Sequence, residues 1–353
     1  MLKKNEELSL LKYNRNPNIK FNSFINYKNN NKLNNSIFEI YKSFQNNNFY
    51  MIIPNIKTNN IEVFYLHENE LEIYKILKGQ NYEISFIKYY INKKNEEYLL
   101  STDILEQIYI WDITHNYINI QIIKTDYFCT MLSNLLLFME NDVYIITTCC
   151  PDENDTTNFD ETYSKIYSLS DGNLIRNIKG TNMNFTYYIL HWYNIIDNSN
   201  YIIECCKGKI YIYNFINDDT YINFSENLGN GNFLKGIIFT KNNNDYLITG
   251  RDDGYVLILD LNQKLIINLI EFKKNNFIEC QIYHIEKWNS KYFFVYEYTQ
   301  NSIYFIEFEN LKKVSRFKFD KNNSIEEIKI MNHHIYGKSL LISNEKNYIQ
   351  LWN

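Results

Sequence analysis

The sequence predicts an all-β chain built as one ring of seven like units, and three observations carry that prediction. The first is composition. Ala is absent, Pro occurs three times and Gly ten times, while 32 Tyr and 23 Phe accompany abundant Ile and Asn. Losing the best helix former and gaining β-branched and aromatic residues disfavours helices throughout. The second and third observations are two short apolar patterns that recur with one shared period.

The first pattern is an aromatic or Leu followed by mostly branched or aliphatic residues. It starts at Tyr50, Tyr98, Tyr144, Tyr201, Tyr246, Phe293 and Leu340, in steps of 48, 46, 57, 45, 47 and 47. The second follows each of these, with its second residue at Phe64, Trp111, Tyr167, Tyr213, Leu259, Ile306 and Trp352, in steps of 47, 56, 46, 46, 47 and 46. Both show the same single lengthening of about ten residues, which places an insertion inside one unit. A third apolar segment precedes the first pattern, as in Ile84 to Tyr90 or Ile325 to Ile330. A fourth follows the second pattern, as in Ile118 to Ile123 or Leu265 to Ile270. Four short strands per unit, repeated radially, predict a single seven-bladed β-propeller.

The second pattern, above all Ile110-Trp111-Asp112 and Leu351-Trp352-Asn353, resembles the Trp-Asp end of a WD40 repeat. Thr249-Gly-Arg-Asp252-Asp253-Gly254-Tyr-Val256, ahead of Leu259-Asp260, resembles the stretch leading into that signature. As periodicity the resemblance covers nearly the whole chain; as motif it covers about three units. No Gly-His dipeptide opens any unit, so the family's hydrogen-bonded set of His, Ser or Thr, Asp and Trp is expected to be incomplete everywhere. Phe64, Trp111, Tyr167, Tyr213, Leu259, Ile306 and Trp352 are expected to be structural, packing between blades.

The expected layout is an N-terminal tail over residues 1–18 and a propeller over 19–353. The chain ends on a third strand, so the last blade needs a fourth. Residues 21–27, apolar at Phe21, Ile25 and Tyr27, are the expected donor that closes the ring and removes an open edge.

A net charge of −5 is neither a basic nucleic-acid arm nor an acidic tail. The N-terminus has no apolar stretch of signal-peptide length, and no apolar run approaches bilayer thickness, so the expectation is a cytoplasmic or nuclear protein without a membrane span. Six cysteines without a Cys-x-x-Cys pattern, and six His without ligand spacing, predict no metal, cofactor or disulfide framework. Gly229 to Gly236 lacks the Lys and Ser or Thr of a phosphate loop and is expected to be a connection between blades. His333-His334 and the Lys pairs at 93–94, 273–274 and 312–313 are expected in loops. The first strands, rich in Ile, Phe and Tyr, offer no obvious inward-facing acids or bases for catalysis.

The insertion at 150–162, in the third blade, is the most distinctive local feature. Asp152, Glu153, Asp155, Asp160 and Glu161 surround one aromatic, Phe159. Acidic charge around a single aromatic anchor suits a basic peptide or a Lys/Arg-rich partner surface. The resulting expectation is a non-enzymatic protein-interaction scaffold within a hetero-complex. The alternatives are an RNA-associated propeller, which needs a basic rim with exposed Tyr, and a propeller enzyme with its site in the central channel.

Overall fold

The computed structural model describes residues 37–66, 71–104, 107–125, 134–139, 142–148, 163–179, 186–216, 221–224, 228, 231–272, 280–319, 325–333, 337–344 and 349–352. Every regular element among them is a β-strand. Sheet 1 holds β1 (Glu39–Lys42), β2 (Phe49–Asn55), β3 (Asn60–Leu66) and β4 (Leu71–Leu77). Sheet 2 holds β5 (Ile84–Ile91), β6 (Glu97–Asp103), β7 (Ile108–Asp112) and β8 (Ile118–Ile123). Sheet 3 holds β9 (Asn134–Phe138), β10 (Val143–Thr148), β11 (Tyr163–Ser168) and β12 (Leu174–Lys179). Sheet 4 holds β13 (Thr186–Asn194), β14 (Ser199–Cys206), β15 (Lys209–Asn214) and β16 (Tyr221–Phe224). Sheet 5 holds β17 (Phe233–Lys241), β18 (Asn244–Arg251), β19 (Tyr255–Asp260) and β20 (Leu265–Glu271). Sheet 6 holds β21 (Ile282–Lys287), β22 (Tyr292–Glu297), β23 (Ser302–Glu307) and β24 (Lys312–Lys318). Sheet 7 holds β25 (Ile325–His333), β26 (Gly337–Asn344) and β27 (Ile349–Trp352), three strands among the described residues.

Each sheet is an antiparallel meander in which strands pair with their sequence neighbours. The repeated four-stranded sheets are consistent with the predicted β-propeller. The two sequence patterns fall on the second and third strands, and the register lays them side by side. Met51 faces Phe64, Leu99 faces Trp111, Ile145 faces Tyr167 and Ile202 faces Tyr213. Leu247 faces Leu259, Phe293 faces Ile306 and Leu340 faces Trp352. In sheets 6 and 7 the counterparts of Tyr50 are therefore Tyr292 and Ser339, one residue before the starts assigned from the sequence.

Burial explains the period. Seven apolar clusters lie between sheets, and each joins one sheet to the next. Sheets 1 and 2 share the cluster of Ile52, Val63, Leu99 and Trp111; sheets 4 and 5 share that of Ile203, Ile212, Leu247 and Leu259. The others join sheets 2 to 3, 3 to 4, 5 to 6 and 6 to 7. In the seventh, Leu341 of sheet 7 packs with Phe38, Met51, Ile53 and Phe64 of the first. A sheet in this arrangement buries both faces, which is why its second and third strands are continuously apolar.

Turns use the residues the composition supplies. Among the described residues, eight of the eleven non-glycine positions at positive φ are Asn, including Asn47, Asn59, Asn95, Asn198 and Asn301, against four Gly. Asn tolerates the left-handed region and bonds its own backbone. Asn92, for example, accepts from Lys94 N at 2.9 Å and Glu96 N at 3.0 Å. Asn abundance thus does the turn work that scarce Gly cannot.

The tail over 1–18 and the expected closing strand at 21–27 lie outside the described residues, as does the insertion at 150–162. Three placements differ from expectation. Gly236 lies inside β17, and Lys312-Lys313 open β24, so neither is in a loop. His333 is the last residue of β25, paired with Gly337.

Candidate functional site

The repeat positions are built by the third strands. Phe64, Trp111, Tyr167, Tyr213, Leu259 and Ile306 are all buried. Each belongs to the cluster shared with the preceding sheet: Trp111 packs against sheet 1, Tyr167 against sheet 2, and Phe64 against sheet 7. Trp352 holds the corresponding register position on β27, paired with Leu340. In five sheets the ladder between third and fourth strands shifts register at this residue, between Val63 and Phe64, Ile110 and Trp111, Ile166 and Tyr167, Ile258 and Leu259, and Phe305 and Ile306. A bulge there turns the outer strand and raises the local twist.

Sheet 2 also carries a polar chain that the missing Gly-His dipeptide seemed to rule out. Trp111 Nε1 donates to Ser101 Oγ at 2.9 Å, and Gln80 Nε2 donates to the same oxygen at 2.5 Å. Gln80 follows Gly79, which stands at φ 131°. An amide therefore supplies the donor that an imidazole would, and the signal for it was the Gly79-Gln80 pair.

Of the acidic insertion, Asp152, Glu153, Asp155, Phe159, Asp160 and Glu161 lie outside the described residues; its stem is described. β10 and β11 carry the loop, with Thr148 paired to Ser164 and Thr147 to Lys165. Ser164 Oγ donates to Glu204 Oε1 of sheet 4, where the carboxyl is buried and pushed up to about 7 by loss of water, opposed in part by Ser164 and Tyr213. Cys205 and Cys206, beside it on β14, are buried, and burial drives the Cys205 thiol well up, away from reactivity. Cys149 and Cys150 fall outside the described residues.

The feature missed from the sequence is a charged cavity of about 620 Å³ lined by first strands. Glu39 of β1, Lys88 of β5, Lys235 of β17, His284 and Glu286 of β21, and Glu327 and Lys329 of β25 line it. The expectation of apolar first strands is corrected here: their charged residues alternate with apolar ones, and pairing turns the charged set to the cavity. Glu39 is bound from both sides, by Lys88 at 3.2 Å and Lys329 at 2.9 Å. Burial pulls the Lys329 ammonium down, but Glu39, Glu327 and Glu286 outweigh it and hold its pKa above the ordinary value. Burial pushes Glu286 up, yet His284, Lys235 and Lys329 bring its carboxyl below the usual range. His284 is buried, its ring stacked on Phe294 with 5.8 Å between centroids, and its Nε2 stands 3.6 Å from Glu286 Oε2. Among the described residues no group of three His, Cys, Asp or Glu is disposed to hold a metal ion, and no helix is long and apolar enough to cross a membrane.

No protein-family model matches the chain, and no curated protein matches it in sequence. Solved structures do match it in shape. A structure of BBS1N in complex with ARL6DN, soaked with lead, superposes with a TM-score of 0.63 at 11% identity, covering 89% of this chain and 90% of that one. Raptor from Chaetomium thermophilum superposes with a TM-score of 0.66 at 10% identity, covering 92% of this chain. The chain spans 28% of that Raptor chain. At such identities the likeness is one of fold, and the chain shares the fold of these regions.

Proposed function

We propose that this chain is a seven-bladed propeller of the WD40 kind, closed by residues 21–27 beside β27, and that it works as a non-enzymatic scaffold in a protein complex. The observation that carries this reading is the run of seven apolar clusters, one at each junction including that of the last sheet with the first. Such a ring is rigid and spends its interior on cohesion, leaving loops and rims for partners. The Trp111–Ser101–Gln80 chain supports the WD40 likeness. Both structural neighbours suit a scaffold role, one of them solved as a complex with a second protein. In the cavity, Glu39 is taken up by Lys88 and Lys329, which ties sheets 1, 2 and 7 together instead of leaving a free acid.

Within this reading the acidic insertion takes a basic peptide or a Lys/Arg-rich surface, with Phe159 as anchor. The test is affinity purification of the tagged chain beside a variant with residues 151–161 replaced by Gly and Ser. Partners bearing basic segments should be lost with the variant and weaken with salt. Recovery of the same partners by both chains would overturn the assignment. A second reading, a small-molecule or catalytic site in the cavity, is favoured by His284 beside Glu286; turnover or ligand binding abolished by His284→Gln would establish it.

A further inference from the structure

The outer strands differ in charge: β4, β12 and β24 carry Glu, Lys or Arg, whereas β8, β16 and β20 have none within the strand before Glu271. β24 carries Lys312, Lys313, Arg316 and Lys318, the cationic edge that discourages strand pairing. β4 carries Glu72 and Lys75 in mid-strand, and Lys75 Nζ is held by Asn116 Oδ1 at 2.8 Å. β20 has no charge from Leu265 to Ile270, and Leu265, Ile266, Ile267 and Leu269 are 55%, 39%, 49% and 47% exposed. It pairs with β19 on one side and, among the described residues, forms the edge of its sheet on the other. A bare apolar edge is a template for another strand.

The residue order says which strand fits. Leu265-Ile266-Ile267-Asn268-Leu269-Ile270 is complementary to itself run antiparallel, Leu265 meeting Ile270 and Ile266 meeting Leu269; Lys264, the turn residue before the strand at φ 58°, comes beside Glu271 at the end of the other copy's strand. On a regular strand this pairing is out of phase, because residues an odd number apart turn their backbone groups to opposite edges. β20 is not regular. Ile258 pairs with Asn268 and Leu259 with Ile266, so Ile267 is an extra residue and the alternation restarts across it. Ile266 and Leu269 then turn their backbone groups to the same edge, and Leu265 and Ile270 likewise agree. The bulge that would otherwise blunt the edge brings its two halves into phase.

We propose that β20 pairs with β20 of a second copy of this chain across a two-fold axis, making one eight-stranded sheet with a Lys264–Glu271 ion pair at each end. The interface is isologous, so one substitution acts twice.

Sedimentation equilibrium on the purified full chain tests this. Wild type should be dimeric within the micromolar range. Lys264→Glu and Glu271→Lys each set like charges against each other twice and should weaken the dimer about tenfold or more. The double exchange, Lys264→Glu with Glu271→Lys, should restore it. Ile267→Lys, beside the axis, should give a monomer with an unchanged urea midpoint, which separates loss of pairing from loss of fold. A wild type that stays monomeric up to about 100 µM overturns the proposal. So does a dimer that ignores the single exchanges, or one that the double exchange fails to rescue.

Discussion

The first strands and the fourth strands of these sheets have the same repeat and opposite fates. On the first strands, charge meets charge from another sheet: Glu39 of sheet 1 receives Lys88 of sheet 2 and Lys329 of sheet 7, and Glu286 of sheet 6 lies among His284, Lys235 and Lys329. On the fourth strands, the apolar side chains divide: Leu77, Ile123, Ile178 and Phe317 reach into the cluster with the next sheet, while others stand outside it. Ile73, Ile118, Ile175 and Leu265 are about as exposed as one another, at 51%, 57%, 51% and 55%. Geometry accounts for the contrast. Inner strands converge, so polar groups placed there can satisfy each other across sheets. Outer strands diverge, so the positions that the clusters do not reach face solvent or a partner. Cohesion is therefore an inner property and recognition an outer one.

Glu39→Gln is the most severe way to break that contrast. It keeps the shape but leaves two ammonium groups without their carboxylate, and Lys329 is the more enclosed of the two. With the carboxylate buried but both lysines partly exposed, its removal should cost about 1 to 3 kcal/mol. Urea unfolding should show that loss, and a loss within about 0.5 kcal/mol, the range of ordinary surface changes, would place Glu39 with the outer strands instead.

Glu204 sharpens the contrast through pH. Its carboxyl is buried between sheets 3 and 4, and its pKa is pushed up to about 7 from an ordinary value of 4.5. As pH rises through that window the unfolded chain gives up this proton while the folded chain keeps it, so stability falls; above it the loss levels off. Glu204→Gln should remove the fall. Relative to wild type the variant should gain about 2 to 3 kcal/mol between pH 4.5 and pH 7.5, followed by urea midpoints at each pH. Parallel pH profiles for the two chains would show that Glu204 is not held neutral. Glu97, equally buried between sheets 1 and 2, is met by three donors: it accepts from Ser43 Oγ at 3.0 Å, Phe44 N at 2.8 Å and Tyr89 OH at 2.7 Å.

The period was legible because burial on both faces forces second and third strands to stay apolar, and Phe64, Trp111 and Tyr213 mark that twice-buried layer in sheets 1, 2 and 4. The inner charges were not legible for a related reason. Lys88, Lys235 and Lys329 each stand between apolar neighbours, so each first strand looks apolar as a segment; which residues face the cavity follows only from register. The bulges were invisible as well. An extra residue such as Ile267 changes no composition and shifts the period by nothing, yet it decides which backbone groups reach the edge of β20. Gln80 was overlooked because the expected donor was His, although the chemistry needs only an N–H at that place. The acidic insertion was legible as an interruption of the period, and its role rests on its residues alone.

Closure of the ring is the claim on which the scaffold reading depends, because an open last sheet would leave β27 as a bare edge. The most direct measurement compares the thermal unfolding of three chains: wild type, a deletion of residues 1–28, and a permuted chain in which residues 19–28 are rejoined after Asn353 through a short turn. The account predicts that the deletion melts well below wild type and that the permuted chain recovers most of the difference, because a hairpin with β27 restores the fourth strand. A deletion that melts like wild type, or a permuted chain that melts like the deletion, would contradict it.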